Sequence, residues 1–194
     1  MANVELYVKK ALTVVEHPPI EVDRVFVVIA SSEGASLEAV GRHMWANVKT
    51  LWNLARDGFR ELIGQTKLDA DFEKLWRATG GNPRAVEMLD EEGWQVDKLV
   101  EKIYRSRRLD TGILARHRTA LEEALENPDA LLKAPRELVD YLIHKNLVTR
   151  LVDPIAPLPP NKEIGVGRDY AWQTPLHREA VKLALESGRS PPQL

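Results

Sequence analysis

The chain has 194 residues, with 27 Lys and Arg against 29 Asp and Glu, a net charge of −2 and 44% hydrophobic residues. That size suits one domain or two small ones with a self-sufficient core, and the charge balance excludes an acidic disordered tail or nucleic-acid binding by bulk charge alone. The absence of Cys excludes disulfides, Cys-based zinc sites and thiol catalysis.

Val4, Tyr7, Val8, Ala11, Leu12 and Val15 recur at i, i+3/i+4 spacing, which predicts an amphipathic helix stopped by His17-Pro18-Pro19. The run Val25 to Ala30 is β-branched and apolar on both faces, so it reads as a strand buried on both sides. Its six residues are far fewer than the roughly 20 of a membrane span. A turn at 31–34 and a helix capped by Ser36 and running to about Trp45 follow, then a short stretch, 48–52, read as strand. Helices are expected from Asp57 with Phe59, Leu62 and Ile63 inward, and over Phe72, Leu75 and Trp76 up to a Gly80-Gly81 C-cap. Pro83 opens another, with Val86 and Leu89 inward, and a further helix spans about Val96 to Leu109.

Residues 102–118 are the densest basic stretch: Lys102, Arg105, Arg107, Arg108, Arg116 and Arg118 against Asp110 alone. These six could contact phosphates, or form an ordinary solvated face. A domain boundary is expected near 110–112, then a helix over Ile113–Glu126 and a break at Asn127-Pro128-Asp129. A helix from Pro135 to Asn146, strands at 147–152 and 170–174 around a Pro-rich loop, and a last helix from Pro175 to Glu186 complete a winged helix-turn-helix pattern. The presumed recognition helix balances Arg136 and Lys145 with Glu137 and Asp140, which suits DNA reading poorly. The five Trp sit in apolar periodic segments and are expected to anchor the core.

No complete catalytic constellation emerges. The His residues are at least 26 positions apart without HExxH, so no metal site is expected. Gly34-Ala-Ser36-Leu-Glu38 lacks the second Gly of a nucleophile elbow, and none of the 11 Gly precedes a Lys, so GxxxxGK(S/T) is absent. The N-terminus lacks the basic and apolar regions of a signal peptide, and a cytoplasmic protein is expected. The 12 Pro and few Met suit a heat-adapted source.

Four stretches in order, VFVVIASSEG (25–34), GRHMWANVKTLWNLARDGFREL (41–62), LWRATGGNPRAVEML (75–89) and YAWQTPLHREAV (170–181), resemble the C-terminal part of archaeal P-loop ATPases of the STAND type within the AAA+ class. The resemblance implies a mainly α fold with a small β component: a partial α/β ATPase core (1–64), a helical lid (65–111) and a winged helix (112–194). It implies nucleotide-facing roles for Ser31 and Ser32 at the end of the sensor-1 strand, for Arg42 as a nearby cation, and for Asn82, Pro83 and Arg84 in the lid motif. The plain alternative for Gly80 to Pro83 is a C-cap followed by a new helix. The family's P-loop, its Lys and its Mg²⁺-binding acids would lie upstream of residue 1. These 194 residues alone are therefore expected not to hydrolyse ATP and to need no cofactor, ATP and Mg²⁺ being implied only for a full-length member. The leading expectation is a non-catalytic, ATPase-derived regulatory or interaction protein that meets a protein partner or itself. The alternatives are the C-terminal part of an active ATPase and a winged-helix DNA-binding module.

Overall fold

The computed structural model describes residues 4–17, 25–32, 40, 47–66 and 70–187. Among the described residues the fold is mainly helical with one small sheet. The elements are α1 (Val4–Glu16), α2 (Arg56–Thr66), α3 (Phe72–Thr79), α4 (Pro83–Glu91), α5 (Val96–Arg107), α6 (Thr111–Arg116) and α7 (Arg118–Glu126). A 3₁₀ turn (Pro128–Leu132), α8 (Arg136–His144), β1 (Val148–Arg150), β2 (Tyr170–Trp172) and α9 (Pro175–Ser187) follow. None of the described helices is long and apolar enough to cross a membrane.

Periodicity and caps explain the helices. Asp71 accepts the N–H groups of Glu73 and Lys74 to start α3, and Asn82 accepts that of Ala85 to start α4. Between them Gly80 and Gly81 have φ of 61° and 78°, so the chain turns through the left-handed region. A side chain at Gly81 would also collide with the Leu54 carbonyl and the Trp76 ring. The α3 to α4 turn is therefore restricted to Gly by both conformation and space.

One apolar cluster runs from Phe59 to Leu185. Its centre is the packing of α9 against α5, which buries Leu99, Ile103, Ala180, Val181 and Ala184. β1 and β2 pair antiparallel in the register Val148 to Trp172 and Arg150 to Tyr170. Trp172 is fully buried and its indole N–H donates to the Ala124 carbonyl at 3.1 Å, fixing the sheet to α7.

Several expectations need correction. Residues 25–30 form no strand and are not buried: Phe26 is 88% and Val28 92% exposed. A strand exists only with a neighbour to pair with, and no described strand lies beside this run. Residues 48–52 are likewise not a strand, although Thr50 exchanges backbone hydrogen bonds with Val152 and Ile155 at 2.8 and 3.0 Å. The expected single helix 113–126 is broken at His117, whose backbone leaves helical geometry with ψ of 27°. Among the tryptophans, Trp76 and Trp172 are core residues, Trp52 is half-buried and Trp94 is exposed, while Trp45 lies outside the described residues. The helix expected at 36–45 also falls largely outside them.

Candidate functional site

The Gly80 to Arg84 turn is held by side chains rather than left open. Asn82 Oδ1 caps α4 at 2.9 Å from the Ala85 nitrogen, while its Nδ2 donates to Asn53 Oδ1 at 2.8 Å. Asn53 in turn donates from Nδ2 to the Gln173 carbonyl at 3.3 Å. Leu54 N–H donates to the Gly81 carbonyl at 3.0 Å. The segment 47–55 thus ties the turn to the residue following β2. Sequence alone does not single out Asn53. Its role depends on a partner 29 positions away, and no local pattern marks it.

Pro83 and Arg84 are exposed at the start of α4. Arg84 pairs with Glu87 and, at 3.8 Å, with Glu91 on the same helix. Glu87 beside it raises the guanidinium pKa still further. Of the predicted nucleotide-facing residues, the structure therefore brings together Asn82, Pro83 and Arg84. Ser31 and Ser32 stand exposed at the end of the irregular 25–32 segment, and Arg42 lies outside the described residues.

The six cations of 102–118 lie on α5, α6, α7 and their junctions, and four of them face carboxylates. Lys102 meets Glu92 at 2.5 Å, Arg105 pairs with Glu101, Arg116 meets Glu137 at 2.9 Å and Arg118 meets Glu122 at 2.8 Å. Hydrogen bonds from Lys102 and Lys98 hold the Glu92 carboxyl down at about 2. Glu137 also receives His117 at 2.9 Å, and that bond first, then Arg116, keeps its carboxyl below the usual range. Arg107 and Arg108 have no carboxylate within 4 Å among the described residues. Arg108 is the exposed left-handed cap of α5, with φ of 48°. Arg107 is half-buried, and burial lowers its pKa. Its Nη2 lies 3.5 Å from His177 Nε2, and the other ring nitrogen is 2.8 Å from Thr174 Oγ1. Burial and then the Arg107 charge push His177 down to about 4, so the ring is neutral at pH 7.

A second polar constellation carries no sequence signal of its own. Asp129, on the 3₁₀ turn, accepts the backbone N–H groups of Arg168, Asp169 and Tyr170 at 2.8, 2.9 and 3.1 Å. Burial raises its carboxyl pKa, but the three N–H donors together outweigh that and leave it below the ordinary value. Gly167 is needed here because any Cβ would overlap the carboxylate. The Asn127-Pro128-Asp129 sequence signals a break, but not that its Asp grips a loop 39 residues onward.

The comparisons bear on the N-terminal part. Residues 1–89 match the family profile of an ATPase domain predominantly from Archaea. The match takes in the 25–34 stretch and the Gly80 to Arg84 turn, and it ends within α4. No curated protein matches the chain, and no solved structure does.

Proposed function

We propose that this chain is a non-catalytic, ATPase-derived interaction protein of STAND/AAA+ type, with its helical lid at 65–111 and a winged helix at 112–194. The observation that carries the reading is the exposed apolar segment 26–30, which lies inside the ATPase-like region. The five consecutive exposed apolar residues 26–30 are a docking surface, and a second copy or a protein partner would cover them. The two-stranded sheet between α8 and α9 supports the winged-helix reading. The lack of a GxxxxGK(S/T) sequence in these 194 residues supports the non-catalytic one.

In this reading Ser31, Ser32, Arg42, Asn82, Pro83 and Arg84 are inherited nucleotide-facing positions. Arg84, already engaged by two glutamates, is not poised for phosphate. The chain needs no cofactor of its own and works in the cytoplasm. No particular observation favours the DNA-binding alternative, because four of the six candidate cations are paired within the chain.

Static light scattering across a concentration series tests the docking surface. The wild-type chain is expected to gain mass with concentration, and the Phe26→Ser, Val28→Ser double variant to stay monomeric with an unchanged melting temperature. A wild-type chain that remains monomeric at high concentration rules out a second copy as the occupant and leaves the surface to a different protein.

A further inference from the structure

Residues 49–54 have no regular secondary structure, and none of them is buried. They are held at two separate places. At one end the Lys49 ammonium meets Asp153 at 2.6 Å. Thr50 beside it makes four hydrogen bonds with the loop after β1. Its N–H and its Oγ1 donate to the Val152 carbonyl, Oγ1 accepts the Val152 N–H, and the Thr50 carbonyl accepts the Ile155 N–H. At the other end Asn53 donates to the Gln173 carbonyl and accepts from Asn82 Nδ2, and the Leu54 N–H donates to the Gly81 carbonyl.

Between these two ends the segment is poorly seated. A cavity of about 250 Å³ lies between it and the Pro-rich loop 154–159. Leu51 is 81% exposed. Trp52 is only half-buried, yet its indole N–H is shut off from water and has no hydrogen-bond partner among the described residues. An unmatched buried donor is a cost of the docked position, and it vanishes when the segment lifts into water. Docking therefore rests mainly on the polar contacts at the two ends. Segments of this makeup open locally at a lower free energy than a packed core such as that between α5 and α9.

We propose that residues 49–54 are a strap that docks and lifts as one unit, and that it couples the Gly80 to Arg84 turn to the loop 150–155. Only Leu51 and Trp52 separate Thr50 from Asn53, so each anchor holds the other close to its partner, and losing one weakens the other. The coupling is reciprocal. A contact at the turn that favours the docked strap also favours the ordered 150–155 loop, and displacing Thr50 from Val152 loosens the Asn53 bond to Asn82. The strap and the turn lie within the ATPase-like residues 1–89, whereas Val152, Ile155 and Gln173 lie outside them. The strap is thus a route by which a partner bound to one part of the chain is felt in the other.

Amide hydrogen exchange on the full chain tests the strap, because its docking protects the N–H groups of Thr50, Leu54, Val152 and Ile155. These four should exchange through a common opening, well before the core amides of Ile103 and Val181. Thr50→Val removes both hydroxyl bonds at nearly constant side-chain size. It should speed exchange at Leu54 about tenfold, the effect of one net hydrogen bond, although the Leu54 bond to Gly81 is itself untouched. Asn53→Ala should act in the reverse direction, speeding Thr50 and Ile155, and the core amides should keep their wild-type rates in both variants. Strap amides protected as strongly as the core overturn the proposal. So does a Thr50→Val protein in which Leu54 keeps its wild-type rate, or an Asn53→Ala protein in which Thr50 and Ile155 keep theirs. Equal acceleration of strap and core in either variant overturns it too.

Discussion

His177 is the group through which mild acid should weaken this fold. It sits on α9 against α5, the most extensive helix contact in the structure, with Thr174 on one ring nitrogen and Arg107 near the other. Its pKa is depressed to about 4 from an ordinary 6.5, first by burial and then by the Arg107 charge. The folded protein therefore holds the ring neutral while the unfolded chain protonates it. Well above pH 6.5 both states are neutral and nothing is lost. As pH falls from 6.5 toward 4 the unfolded state alone takes up a proton, and folding stability declines. Each pH unit separating the two pKa values is worth roughly 1.4 kcal/mol, so the full loss is about 3 kcal/mol, of which about 2 kcal/mol should be gone by pH 5. The carboxylates of Glu92, Asp129 and Glu137 are also held low, so they too lose stability as pH falls. Their contribution is present above their unfolded pKa values, near 4, and is lost mainly below them, so the interval from pH 7 to 5 separates His177 from these groups. Urea titrations over this interval, with wild type and His177→Gln compared, measure the effect. The variant should be less stable at pH 7 because it loses the Thr174 and Arg107 contacts, but its stability should be nearly flat to pH 5. Parallel pH profiles for the two proteins would refute the reasoning.

Other changes have defined consequences. Gly167→Ala forces a methyl group into the Asp129 carboxylate and should lower stability by about 2–3 kcal/mol, the worth of a hydrogen bond to a charged group. Thermal melts should show Asp129→Ala costing a similar amount and the double variant costing much less than the sum, because both remove one contact. Asn82→Ala removes the α4 cap and the Asn53 bond, and should cost about 1–2 kcal/mol by urea titration. Duplex DNA should show no appreciable affinity even at low salt. A steep loss of binding with rising salt would instead show phosphate contacts by the 102–118 cations.

Local chemistry makes most helices legible from the sequence. The spacing of Phe59, Ile63, Leu75, Trp76, Val86 and Leu89, with Gly80, Gly81 and Pro83 as punctuation, puts α2, α3 and α4 in place. The small sheet is legible as well, although shorter than its apolar runs suggest. Residues 25–30 show the limit of such reasoning. Apolar, β-branched residues describe what a strand would need on both sides, but whether neighbours exist is a property of the rest of the molecule. At His117 the apolar pattern runs on while the backbone leaves helical geometry, so periodicity alone could not place the break. The Asn82, Asn53 and Gln173 chain, the Asp129 grip on 168–170 and the cavity beneath the Pro-rich loop are not legible. Each joins residues that are far apart in sequence, through contacts that composition and spacing do not encode. For the 102–118 cations, sequence supplies the charges and the i,i+4 partners Glu101 and Glu122 of Arg105 and Arg118, but Glu92 and Glu137 reach Lys102 and Arg116 only once the helices pack.

ATP turnover by the purified 194-residue chain tests the central claim most directly. With Mg²⁺ and ATP at saturating concentration, phosphate release should be indistinguishable from a buffer control. Release above that control, proportional to protein concentration and lost in an Asn82→Ala, Arg84→Ala variant, would contradict a non-catalytic role.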